Sequence, residues 1–227
     1  MAHRACGRTT TPTTTAPSCA TRTATTSRRS ATRQPEPGRL RRRAMKLAVF
    51  FRNLNLGRPP APTRQQLEAA FLEGGARSAQ SFLTNGTLVF EPAPRSRGRR
   101  EVEAACAILQ RTLGFAEPAF VRPLPILAGL VARQPFRGID PASVYERCIT
   151  FLPDRFVLPQ DAPRANASGN VRVLEYAAAD MFSVSLKLGA SPGSPNLFAE
   201  RQFGVPATTR AWNTVVRLVE RHAPLPP

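Results

Sequence analysis

Histidine is almost missing from this chain of 227 residues: there are two, and beyond His3 only His222 remains. A serine or cysteine nucleophile activated by imidazole therefore has no base to pair with in the body of the chain. Cysteine is equally sparse. Cys6, Cys19, Cys106 and Cys148 stand singly with no CxxC pair, so neither a zinc site nor a disulfide framework is indicated. Cys106 and Cys148 sit in apolar settings and read as core residues. Acidic residues number 15 against 32 basic ones, and Asp154, Asp161 and Asp180 fall in expected loops without the close pairing that acid–base or metal chemistry needs. Phosphate-binding loops of the P-loop or GxGxxG kind are lacking. So are long apolar runs. The longest, Leu124 to Ala132, is interrupted by Pro125 and falls well short of the ~18 residues of a membrane span. No apolar stretch follows the basic N-terminus as a secretory signal would require. The expectation is a soluble, cytoplasmic protein with no metal, no cofactor and no membrane partner, and no set of residues adds up to a recognisable reaction.

What is there is arginine: 30 of the 32 basic residues. Residues 1–44 hold ten of them and a single acid, Glu36, hence nine of the seventeen formal positive charges; the part from Met45 keeps +8. That first stretch is Thr, Arg, Ser, Ala and Pro with almost no large apolar side chains. Burial there cannot offset the roughly 1–2 kcal/mol of backbone entropy per ordered residue, so the segment is expected to be disordered and dispensable. A transit peptide or a basic arm for nucleic acid would share this composition. The favoured reading is a mis-assigned upstream start, because the excess of Arg over Lys suggests GC-rich coding and Met45-Lys46-Leu47 opens a strand-like run that looks like a natural start.

From Met45 the elements follow from periodicity and punctuation. Lys46–Arg52 reads as a buried strand. Thr63 with Gln66 makes a capping box for a helix that Gly74-Gly75 ends. Strands are expected at Gln80–Leu83 and Thr87–Glu91, with Asn85-Gly86 as a two-residue hairpin turn. A basic, Pro-containing loop follows, then a helix from about Arg100 to Leu113, a strand at Ala119–Arg122 and a helix at about Leu124–Arg133. The order βαββαβ is the ferredoxin-like arrangement of an antiparallel sheet with helices on one face. The remainder reads as a second α+β unit: strands at Tyr145–Leu152, Val171–Tyr176 and Phe182–Leu188, a helix from Ser194-Pro195 to Gly204, and a last helix starting at Thr208 or Thr209 with Trp212, Val215, Val216 and Val219 inward. The expected organisation is an extension at 1–44, a ferredoxin-like subdomain at 45–134 and a second α+β subdomain at 135–227, all in the α+β class.

Three motifs carry a family resemblance. Phe51-Arg52-Asn53-Leu54-Asn55-Leu56-Gly57 is similar to an opening R-G-I-N-V-G. Phe82 to Phe90, with Thr84-Asn85-Gly86-Thr87 at its centre, is similar to a Y-x-x-S-G-N-V-V-F hairpin. Thr209-Arg210-Ala211-Trp212-Asn213-Thr214, with the only tryptophan, is similar to a closing T-x-R-N-W-N-T. From Met45 to about His222 the chain thus resembles the family catalogued as domain of unknown function 1697. The resemblance implies an α+β protein of two ferredoxin-like halves, mostly bacterial, with no agreed activity. Asn53 stands where the family usually has Gly, and Gly193-Ser194-Pro195-Asn196-Leu197 lacks the lysine of the family's R-S-K-L segment.

The candidate ligand residues are Arg52, Asn53 and Asn55, a guanidinium and two amides on one strand-to-loop exit. Arg210 and Asn213 join them, placed in the first turn of the last helix where free N–H groups favour an anion. Asn85, Gly86, Thr209, Trp212 and Thr214 are read as structural. The leading function is a non-catalytic binding domain for an anionic small molecule, a phosphate ester or nucleotide. The alternatives are nucleic-acid binding through basic faces, with Arg217 and Arg221 as a stripe, and an enzyme of unrecognised type working without histidine. Val49 to Leu54 also resembles the first-strand motif of an RNA-recognition domain, but Asn85 to Phe90 lacks the basic lead residue and stacking aromatics of its partner motif. Oligomeric state is not legible.

Overall fold

Strand β1 (Leu47–Phe51) is buried at all five positions, which requires cover on both faces of the sheet it centres. The computed structural model, which describes residues 45–223, supplies that cover; the expectations for residues 1–44 lie outside the described residues. Helix α1 (Arg64–Glu73) starts at the anticipated capping box, with Thr63 and Gln66 each satisfying the other's backbone N–H. Strands β2 (Ser78–Phe82) and β3 (Thr87–Glu91), helix α2 (Arg99–Leu113) and strand β4 (Ala119–Pro123) complete an antiparallel sheet in the order β2-β3-β1-β4. Helix α3 (Leu124–Arg133) leads out of it. A second antiparallel sheet contains β5 (Glu146–Phe151), β6 (Val171–Ala177), β7 (Asp180–Ser185) and β8 (Thr208–Ala211) in the order β6-β7-β5-β8, with helices α4 (Pro195–Phe203) and α5 (Trp212–His222). The described residues are thus an α+β protein of two four-stranded antiparallel sheets and five α-helices.

Alternation along the strands sorts the cores. Leu47, Val49, Phe51 and Phe90 face α1 and α2 through Leu67, Phe71, Val102 and Leu109. The opposite face, with Ala48, Phe50 and Val89, meets Ile149, Phe151 and Phe182 of the second sheet, and α3 and α5 close the same core. Phe50 and Phe151 stack at its centre with ring centroids 4.0 Å apart. A smaller cluster beneath α4 covers the other face of the second sheet through Val173, Met181 and Phe198.

The two sheets repeat one pattern. Ala48 of β1 pairs with Arg122 of β4 and Val89 of β3; Ile149 of β5 pairs with Arg210 of β8 and Phe182 of β7. In this register Phe50 corresponds to Phe151, Thr87 to Asp180 and Arg122 to Arg210, and each arginine precedes a helix by two residues. The strand–helix junctions share backbone geometry, φ −59°, ψ 132° at Pro123 and φ −55°, ψ 134° at Ala211. The helix corresponding to α1 has no counterpart in the second half; the Pro-rich segment between β5 and β6 takes its place in the chain order.

Two local expectations are corrected. Thr208–Ala211 is strand β8, and α5 begins only at Trp212. The threonines read as helix caps bond laterally instead: Thr209 Oγ1 lies 2.8 Å from Thr150 Oγ1, and Thr208 Oγ1 donates to Phe51 O at 3.3 Å. β-Branched side chains beside a free edge of β5 favour pairing over a helical turn. The β2–β3 connection is four residues long, with Phe82 opposite Thr87, so Asn85-Gly86 is not a two-residue turn. Gly86 (φ +71°) remains essential, since a Cβ there would lie 2.7 Å from that of Leu54.

Candidate functional site

The five residues expected to share a ligand are dispersed by the fold. Arg52, leaving β1, forks onto Glu200 of α4 with Nε–Oε1 2.5 Å and Nη2–Oε2 3.2 Å, and its Nη1 donates to Glu117 Oε2 at 3.0 Å. Two carboxylates around one guanidinium leave the spot net negative, a poor seat for an anion. The hydrogen bond from Arg52 also holds the Glu200 carboxyl below its ordinary range, against the opposing effect of burial. Asn53 (φ +50°) and Asn55 are exposed and line a cleft of about 520 Å³ with Arg58, Pro59, Phe115 and Glu117.

Arg210 lies on β8, not in a helical turn, and is 7% exposed. All five of its N–H donors are engaged within the protein. Nε donates to Thr87 Oγ1 (3.1 Å), Nη1 to Thr208 Oγ1 and Thr209 O (both 2.8 Å), and Nη2 to Phe51 O and Asn85 O (both 2.7 Å). Asn85 serves through this carbonyl, and its Oδ1 accepts from Thr87 Oγ1 at 2.9 Å. Among the described residues no carboxylate lies within 4.0 Å of Arg210, and burial pushes its pKa down to about 10. It remains a cation at neutral pH.

Its counterpart Arg122, which sequence reasoning did not single out, does the same in the other direction. Nε donates to Asp180 Oδ1 (2.9 Å), Nη1 to Val121 O (2.8 Å) and Asp154 Oδ1 (2.6 Å), and Nη2 to Leu152 O (2.9 Å) and Ala179 O (3.0 Å). Each half sends one buried arginine into the backbone carbonyls of the other. The visible signal was the shared position, Arg122-Pro123-Leu124 and Arg210-Ala211-Trp212, two residues before a helix.

Asn213 also faces open space. It lines a cleft of about 360 Å³ with Gln134 and Arg137 of the segment after α3, Arg147 of β5, and Val131, Phe136, Trp212 and Val216. Trp212 is 6% exposed, and its ring lies 5.3 Å from Phe136 and 5.8 Å from Phe182, which holds α5 on the second sheet. Ala211 offers no side-chain acceptor to the N–H groups of the first turn, and Thr214 is half-buried in that turn. Among the described residues neither the Arg137 nor the Arg147 guanidinium has a carboxylate within 4.0 Å. These arginines lie far from Asn213 in sequence and belong to no motif, so nothing in the chain announced them.

The remaining reactive groups are quiet. Burial raises the pKa of Cys148 to about 12 and that of Cys106 to about 11, which keeps both thiols protonated at neutral pH. Among the described residues no three His, Cys, Asp or Glu side chains converge as a metal site would need. No helix there is long and apolar enough to cross a membrane.

Two sheets of identical strand order, latched by reciprocal buried arginines, define an α+β protein built as a structural repeat. The chain belongs to the family described as "Protein of unknown function (DUF1697)", whose pattern it matches over residues 45–180. No curated protein matches it. Among solved structures it is similar to the conserved bacterial protein SP0830 from Streptococcus pneumoniae, with 13% identity and a TM-score of 0.55 over 78% of this chain and 97% of that one. At that identity the likeness speaks for the fold alone.

Proposed function

We propose that the protein is a non-catalytic, cytoplasmic binding protein for an anionic small molecule of the phosphate-ester class, held in the cleft over Trp212. The observation that carries this reading is the convergence of Arg137, Arg147, Gln134 and Asn213, four donor-bearing side chains, around about 360 Å³ of space. That volume falls in the range of small-ligand pockets. The first-turn N–H groups of α5 add donors and the positive end of the helix dipole on the same side. Guanidinium pairs suit the several oxygens of a phosphate or pyrophosphate, and the Trp212 and Phe136 edges offer apolar contact to the group it is attached to. Arg52 and Arg210, with their donors engaged on the protein, stand outside this site in our reading.

The test is calorimetric titration of the full chain with pyrophosphate, ATP and a panel of sugar phosphates. One ligand class should bind saturably, and Arg137→Ala and Arg147→Ala should each weaken it about 10- to 100-fold, the worth of one hydrogen bond to a charged group. Melting temperature should stay unchanged in Arg137→Ala, whose side chain is exposed, and move only slightly in Arg147→Ala, whose side chain is half-buried. Binding that is indifferent to both substitutions would overturn the assignment.

A further inference from the structure

Away from that cleft, the loop between β3 and α2 and the first turn of α2 hold Arg95, Arg97, Arg99 and Arg100 within six residues. All four side chains are exposed. Solvated arginines on an arginine-rich chain are unremarkable in a floppy loop, but this loop is built. Glu101, 2% exposed, turns its carboxylate inward and accepts from Ala93 N (3.0 Å) and Ser96 Oγ (2.7 Å). Ser96 Oγ in turn accepts from Gly98 N at 3.1 Å, and Ser96 N closes a turn onto Ala93 O at 3.0 Å. Gly98 sits at φ +86° against the core, where an added Cβ would lie 2.0 Å from Leu47 Cδ1. The acid nearest in sequence is thereby spent on scaffolding and withdrawn from the surface. Of the four arginines only Arg99 has a carboxylate partner among the described residues, Glu103 at 2.6 Å.

We propose that this rigid loop is a phosphodiester-binding surface that takes the backbone of a nucleic acid without reading its sequence. Three guanidinium groups free of carboxylates, Arg95 and Arg97 on the loop and Arg100 in the first turn of α2, suit consecutive phosphates, and bidentate geometry favours arginine for that task. Residues 92–100 carry no large apolar side chain, so the surface has nothing to insert between lipid chains and an anionic membrane is the poorer fit. The loop stands independently of the cleft over Trp212: loss of phosphate-ester binding there leaves this surface intact.

The experiment measures fluorescence anisotropy of a labelled mixed-sequence 20-nucleotide single-stranded DNA against the full chain between 50 and 200 mM salt. Each neutralised phosphate contributes about 0.7 to the log–log salt slope for a single strand. The variant Arg95→Ser/Arg97→Ser/Arg100→Ser should therefore lower the slope by about 2, with an unchanged melting temperature. Arg155→Ser/Arg172→Ser/Arg201→Ser removes the same charge from exposed positions in the other half and should lower it by less than about 1. Residues 1–44 are present in both, so their contribution cancels. Equal losses in the two variants, or none in the first, would overturn the proposal. So would a loop variant that still binds DNA but no longer sediments with vesicles containing phosphatidylserine, because the surface would then belong to a membrane.

Discussion

Replacing Arg210 by alanine should unfold this protein far more readily than replacing an arginine that waits for a ligand. The side chain donates five hydrogen bonds, and three of the acceptors, Phe51 O, Asn85 O and Thr87 Oγ1, belong to the other half of the molecule. Truncation removes charge-assisted bonds and leaves buried carbonyls without donors, at about 1–3 kcal/mol each. Against this, the native protein bears the desolvation of a cation with no carboxylate beside it, and the variant is relieved of that cost. The net expectation is a loss of about 3–5 kcal/mol, or roughly 6–20 °C in melting temperature for a domain of this size. Arg210→Lys keeps the charge but not the fan of donors, and should still lose about 2 kcal/mol. The sharper arm is Thr87→Asp, which places a carboxylate where Asp180 serves Arg122. It should stabilise the native protein by about 1–2 kcal/mol and destabilise the Arg210→Ala protein, where the new carboxylate is buried and alone. Equilibrium unfolding in urea, followed by circular dichroism, reads all four corners of the cycle. An Arg210→Ala loss under about 1 kcal/mol, or a Thr87→Asp effect independent of Arg210, would refute the latch.

Two further outcomes follow from the same packing. Trp212→Ala opens a cavity between Phe136 and Phe182 and should cost about 3–5 kcal/mol in the same unfolding experiment. Burial, aided by the nearby charges of Lys46 and Arg221, lowers the pKa of His222 below its usual 6.5. The unfolded chain then binds this proton more readily than the folded one, so the contribution of His222 is full above about pH 6.5 and is lost as pH falls through the folded pKa. His222→Gln should flatten the decline in stability as pH falls below about 6.5; an unchanged pH profile would exclude His222 as its source.

The elements that depend on near neighbours were legible in the chain. Thr63 and Gln66 announce α1, Ser194-Pro195 announces α4, and Gly114 and Gly204 end α2 and α4 in the left-handed conformation that glycine favours. What depends on distant partners was not. Thr208-Thr209 carries a plausible cap signal, and only the edge of β5, about sixty residues away in sequence, turns it into a strand. Once Arg210 is on a strand its side chain alternates inward, and an arginine that looked like a ligand residue becomes a buried fastener. Arg122 escaped notice for the converse reason, since a charged residue in a short strand flanked by prolines reads as an exposed edge.

The repeat also bears on why the proposed cleft should exist on one side only. Matching strand β1 to β5 and helix α3 to α5 places Lys46 opposite Arg147, Pro125 opposite Asn213 and His222 opposite Gln134. The backbone frame is common to both places, with the same strand order and the same junction geometry. The chemistry is not. At the first turn of α3 the proline removes both an amide side chain and a backbone N–H, and the lysine replaces a forked donor with a point charge. The same divergence operates inside, where Asp180 answers Arg122 but Thr87 faces Arg210. The second half supplies Asp180 to the latch as well as the uncompensated Arg210, and gathers Arg137, Arg147 and Asn213 at its surface; the first half supplies Arg122 and Thr87 and has Lys46 and Pro125 at the equivalent outer positions. A repeat whose two copies carry equivalent folds and unequal charge is a scaffold on which a ligand site can arise once without disturbing the core the halves share.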